Sequence, residues 1–216
     1  MRNDRQPLVY LLALAYGFAL FFACTTQSLA QEHQEFYDDG QLKAQGRLIE
    51  QDKEGQWKFY YPNGQVSAVQ HFRKGLLHGE ARLFDFDGRV IAIEHWQQDL
   101  LEGPAKEFYP NGQVKKEGEY KQGAYEGKWK FYHENGVLRQ VGAYHQGFPE
   151  GTWEIFNEKE HLIQKGSYQQ GKEHGLWKFY DNRGRLAYEG QYHKGTPVGT
   201  WYRFNRKGKK KVYKTY

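Results

Sequence analysis

Cysteine and methionine each occur once in 216 residues, proline occurs six times, and the last fourteen residues contain no acid. A single cysteine excludes an intramolecular disulfide framework and any cysteine-rich zinc site. Hydrophobic residues make up 38%, below the roughly 45–50% of ordinary globular chains, although the two counts treat Gly and Tyr differently, so a thick aliphatic core is not expected. No window carries a long helical period, and glycine recurs too often for helices. What the chain has instead is aromatic: 17 Tyr, 14 Phe and 6 Trp. Disordered segments are poor in such residues. The expectation is a folded chain with a thin aromatic core.

Residues 1–30 read as a secretory signal peptide. Arg2 and Arg5 precede the apolar run Pro7–Ala23, and a polar stretch ends in Ser28-Leu29-Ala30, the n-region, h-region and small-x-small order of export signals. Two processing routes are open: cleavage after Ala30, or lipidation of Cys24 at the lipobox-like Phe21-Phe22-Ala23-Cys24. Either predicts an exported protein of the periplasm or cell envelope.

Residues 31–216 are expected to be one repeat domain, because glycine keeps a 24-residue clock. Gly55, Gly79, Gly103, Gly127, Gly151, Gly175 and Gly199 form one phase. Gly40, Gly64, Gly88, Gly112, Gly136, Gly184 and Gly208 form a second, with Glu160 in the vacant place. Gly75, Gly123, Gly147, Gly171 and Gly195 form a third, and Gly46, Gly118, Gly142, Gly166 and Gly190 a fourth. Aromatics follow. Trp57, Trp129, Trp153, Trp177 and Trp201 share a phase in which Ala81 and Ala105 substitute, and Tyr120, Tyr144, Tyr168 and Tyr192 share another.

Within a unit, Trp129 and Phe131 alternate with Lys128 and Lys130, the period-2 pattern of a half-buried strand. Asn135-Gly136, or Pro62-Asn63-Gly64, marks a turn that suits a three-residue loop with a bulge. Each unit is therefore a β-hairpin, and a lone hairpin is only marginally stable, so neighbours must bury one another's aromatics. The predicted fold is all-β: an elongated, twisted antiparallel sheet of seven to eight tandem 24-residue hairpins. At ~4.8 Å per strand it extends roughly 70 Å.

The units Gly127–Gly136 (GKWKFYHENG), Gly175–Gly184 (GLWKFYDNRG), Trp57–Gly64 (WKFYYPNG) and Gly118–Gly127 (GEYKQGAYEG) resemble those of the MORN-repeat variant proteins, including chains labelled YwqK-like antitoxins. The resemblance covers about Glu35–Tyr216. It implies the repeat fold, a scaffolding or membrane-tethering role as in related MORN repeats, and a rival reading as an antitoxin- or immunity-like neutraliser of a toxin.

The residues themselves point to no chemistry. His78 and His174 lie four repeats apart, His71 and His95 lack a third ligand at their phase, and His145 and His193 are two repeats apart. Glu102, Glu126, Glu150 and Glu173 read as solvated loop charges, because paired-carboxylate hydrolysis needs two groups within ~5–10 Å around one pocket. The glycines lead into strands and cradle no phosphate at a helix N-terminus. The expectation is a non-enzyme without cofactor or metal, whose partner is a protein, with a membrane surface or a glycan on faces such as Tyr120 and Tyr144 as alternatives. Nucleic acid is not expected.

Charge is uneven. Arg203, Arg206, Lys207, Lys209, Lys210, Lys211 and Lys214 contribute +7 within the last fourteen residues, which leaves residues 31–202 at about −3. Residues 202–216 read first as a basic end cap, since lysine on an edge strand deters sheet-to-sheet pairing. Lys210 stands where the seven earlier units are apolar. Contact with an anionic lipid or acidic polymer is the second reading.

Overall fold

Two kinds of turn, each dictated by its residues, set the architecture. In the computed structural model, which describes residues 30–216, the amide of Gly64 donates to the carbonyl of Tyr61 at 2.8 Å and Tyr61 N donates to Gln65 O at 2.8 Å. Gly64 has φ +82°. This is a type I turn closed by a left-handed residue, the three-residue loop expected from Pro-Asn-Gly. The connection between hairpins is a two-residue turn, Lys74 (φ 51°) and Gly75 (φ 79°), in which two positive φ values define type I′.

Every strand pairs antiparallel with its sequence neighbour, from Gln31–Phe36 at one edge to Lys210–Thr215 at the other. Among the described residues the result is one open sheet of successive hairpins, all-β and without helix. One strand is interrupted: Leu100–Leu101 and Gly103–Phe108 both pair with Val90–Gln97.

Pairing inside a hairpin and pairing between hairpins differ. Within the hairpin, register slips by one residue beside the turn, as between Phe131 and Tyr132. Between hairpins the slip is larger. Val141 faces Glu154 while Ala143 faces Glu150, so four steps on one strand match two on the other. The surplus is a bulge at Gly151 (φ +68°) and Thr152, where glycine supplies the backbone conformation.

The bulge throws the following tryptophan onto the preceding hairpin. A Cβ built on Gly142 would lie 2.1 Å from the Trp153 ring, and one on Gly46, Gly118, Gly166 or Gly190 would lie 2.0–2.4 Å from Trp57, Trp129, Trp177 or Trp201. The fourth glycine phase therefore has a steric origin. Each indole Nε1 of Trp57, Trp129, Trp153 and Trp177 donates to the carbonyl just after its glycine, at 2.9–3.2 Å. Tyr120, Tyr144, Tyr168 and Tyr192 meet their tryptophans edge-on at 5.0–5.2 Å. Trp57, Trp129, Trp153, Trp177 and Trp201 are buried, together with a run of alanines that includes Ala44, Ala68 and Ala92, and this is the whole core among the described residues.

Two units break the rule together. Where Trp becomes Ala81 the matching glycine is Gln70, and where it becomes Ala105 the glycine is Glu94. A larger residue thus stands at the glycine position wherever the tryptophan position holds alanine. Gly142→Ala is expected to destabilise by about 1–3 kcal/mol through overpacking. Trp153→Ala should cost about 3–5 kcal/mol. Because the three atoms nearest the methyl of Gly142→Ala all belong to the Trp153 indole, the double variant should be markedly more stable than the sum of the two losses implies. Urea unfolding of the four proteins checks this; strict additivity would contradict it.

Candidate functional site

Four glutamates of one phase perform a task that sequence reading missed. The backbone amides of Lys74, Gln122, Gln146 and Gln170 donate to the carboxylates of Glu54, Glu102, Glu126 and Glu150, at 2.7–2.9 Å. Each acceptor lies twenty residues earlier and caps the first residue of the next type I′ turn. The expectation that Glu102, Glu126 and Glu150 are merely solvated is corrected: they tie one turn to the next. The hydrogen bond from Gln146 N, aided by His145, holds the Glu126 carboxyl below its usual range.

On the opposite edge, the hydroxyls of Tyr37, Tyr61 and Tyr109 reach forward to the carbonyls of Tyr60, Phe84 and Tyr132 at 2.7–2.8 Å. His133 Nε2 lies 3.0 Å from Phe156 O at the same place. Units beginning with Asp85, Asp181 or Asn205 instead turn the side chain onto their own loop amides, and Asn157 does both, accepting from Lys159 N and donating Nδ2 to Asn182 O at 3.0 Å. Asp181, which also binds the Arg185 guanidinium, is lowered to about 2.

The histidines are largely absorbed by such contacts. His71 and His95 bond the carbonyls of Glu80 and Pro104 through Nδ1, at 2.8 and 2.9 Å. His145 meets Glu126 at 3.1 Å. His174 and His193, in unrelated phases, come together with ring centres 5.4 Å apart, because Gly175 pairs with Tyr192 in the hairpin register. Among the described residues no three His, Cys, Asp or Glu side chains gather as a metal site.

A charged cluster missed in the sequence lies at the middle of the array, where the tryptophan rule lapses. Lys116 binds the Glu107 carboxylate and donates to Tyr125 Oη at 2.8 Å. Burial alone would lower Lys116, but these partners outweigh it and hold the ammonium above its ordinary value. Such a lysine is a fixed cation and no base. Burial pushes Tyr120 up to about 12 and also raises Glu94, against the hydrogen bond from Trp96 Nε1. On the other face, Glu117 accepts from Tyr132 Oη at 2.7 Å, which with Lys106 keeps it lowered although burial opposes. These groups are mutually satisfied and orient one another.

The aromatic faces weighed for glycan stacking are engaged too. Tyr120 and Tyr144 are half-buried against Trp129 and Trp153. The seven cations all fall on the last hairpin. Arg203 is on Thr196–Phe204, Arg206, Lys207 and Lys209 are in its turn, and Lys210, Lys211 and Lys214 are on the wholly exposed edge strand. Cys24 and the signal sequence lie outside the described residues.

The family model for the MORN repeat variant matches residues 53–74, 101–122, 125–146 and 173–194. All four segments begin at the same phase, and each spans one hairpin with its turn. These repeats belong to the MORN repeat variant family. No curated protein matches it. Among solved structures it is similar to a GtfA/B complex bound to UDP and GlcNAc, at 12% identity over 63% of this chain and 27% of that chain, with TM-score 0.25. It thus spans about a quarter of that protein's length. A protein of unknown function from Bacteroides fragilis NCTC 9343 matches at 11% identity over 87% of this chain and 91% of that one, with TM-score 0.14. A porin-like protein from Bacteroides uniformis ATCC 8492 matches at 9% identity over 85% and 92%, with TM-score 0.19.

The lowered Glu126 carboxyl has a signed consequence. Its folded value lies below the ordinary 4.5, so its contribution to stability is present above that value and fades as pH falls through the folded one. The Gln146 amide proton should shift in an NMR titration with a midpoint below 4.5, and Glu126→Gln should abolish the step. An unperturbed midpoint would contradict the cap.

Proposed function

We propose that the protein is a non-catalytic repeat scaffold of the cell envelope, which holds a protein partner along the edge formed by its inter-hairpin turns. One observation carries this reading. Leu76, Leu100 and Phe148 occupy the same position of the repeat just after the type I′ turn, and they are 41%, 51% and 62% exposed. Single exposed apolar residues are ordinary, but these three share one phase of the repeat, with Ala124 at the intervening position, and supply apolar area along one edge. Successive repeats advance about 9.6 Å along the sheet, which suits an extended partner. The interior supports the same reading, because its charged groups already serve one another.

The test is capture of a partner from the cell envelope with the full chain, followed by titration of the purified partner. Replacing Leu76, Leu100 and Phe148 by Ala should weaken binding about tenfold or more with an unchanged far-ultraviolet spectrum. Undiminished affinity would contradict the proposed edge. A robust hydrolytic or transfer activity, lost on one polar substitution, would contradict a scaffold altogether.

A further inference from the structure

The last hairpin divides its cations into two groups. Lys210 Nζ lies 2.8 Å from Glu189 Oε1 and 3.7 Å from the centre of the Tyr202 ring. Lys214 stands over the Tyr216 ring at 4.3 Å. These two finish the sheet edge. Arg203, Lys209 and Lys211 instead line a cleft of about 360 Å³ with Tyr188, Phe204 and Asn205. Among the described residues, the Lys210–Glu189 bridge is the one ion pair made by these seven cations.

The cleft cations are placed against their own electrostatic interest. Arg203 and Lys211 are direct cross-strand partners, and like charges so placed destabilise a sheet. Arg203 also replaces the apolar residue found at Phe59, Phe131 and Phe179. Its other cross-strand partner is Tyr188, which is 41% exposed and braced edge-on by Tyr213 at 5.1 Å. Asn205 Oδ1 accepts from Lys209 N at 2.9 Å, fixing the backbone at the rim. A tyrosine face, a guanidinium and an ammonium thus form one row across three strands.

We propose that this cleft binds an acidic saccharide. The guanidinium presents a planar fork to a carboxylate, and the ammonium adds a second charge beside it. Tyr188 offers the flat apolar face on which a pyranose ring can lie. The cations line a concavity walled by rings, which admits a chain more readily than the surface of a bilayer. This inference is independent of the protein-binding edge, which involves none of these residues.

The test is calorimetric titration of the full chain with trigalacturonic acid, with maltotriose as the neutral control and phosphatidylglycerol vesicles as the competing source of negative charge. The expected result is salt-sensitive binding of trigalacturonate, with none of maltotriose. Arg203→Gln with Lys211→Gln should weaken it about tenfold or more, Tyr188→Ala should also weaken it, and Lys210→Gln should leave it unchanged. Tryptophan fluorescence of each variant verifies folding. Binding to vesicles without trigalacturonate binding, equal binding by the Arg203→Gln, Lys211→Gln variant, or no binding of either anionic probe would overturn the proposal.

Discussion

A tryptophan lying on a glycine of the preceding hairpin is the contact on which this sheet depends. A single-layered sheet has no second layer to bury its side chains, and an isolated hairpin barely holds together. Trp153 meets the problem by crossing to the neighbouring unit, where the missing side chain of Gly142 lets the indole approach the backbone. The same residue then donates its indole hydrogen to the adjacent carbonyl, so burial leaves no polar atom unmet at that ring. Burial of one large ring per interface is how a repeat array turns marginal units into a stable whole.

The other regularities follow from that contact. The bulge at Gly151 exists because the tryptophan must leave its own strand's line to reach its neighbour. The two edges are then stitched by side chains that reach one repeat along: Glu54, Glu102, Glu126 and Glu150 on the side of the type I′ turns, and Tyr37, Tyr61 and Tyr109 on the other. Among the described residues, two groups of side chains stand outside these ties. One is the row Leu76, Leu100 and Phe148, and the other is the unpaired cations around Tyr188.

The hairpins, both turn positions and the aromatic core were legible because each repeats every 24 residues, and strand alternation and Pro-Asn-Gly act locally. The pairing of Trp with Gly was written in the sequence as well. The glycine always stands eleven residues before the tryptophan, and Gln70 and Glu94 change in step with Ala81 and Ala105. Treating each phase separately hides that offset, since it joins strands of different hairpins. The glutamate caps were out of reach for another reason: their partner is a backbone amide, which has no residue type. The meeting of His174 with His193 depends on hairpin register, and the cluster around Lys116 on what fills the space of an absent tryptophan. In the basic segment the count of charges was readable, but not the division of Lys210 from Lys211, which follows from neighbours pointing to opposite faces.

If the tryptophan contact holds the array together, stability should not be uniform along it. The hairpin Leu76–Gln97 lacks that contact on both sides, at Ala81 with Gln70 and at Ala105 with Glu94. Native-state hydrogen exchange resolves such local opening strand by strand. The account predicts that amides of Leu76–Gln97 exchange faster than those of any other interior hairpin, while Ala124–Gln169, with tryptophan contacts throughout, is the most protected. Equal protection along the sheet, or greatest protection at Leu76–Gln97, would contradict it.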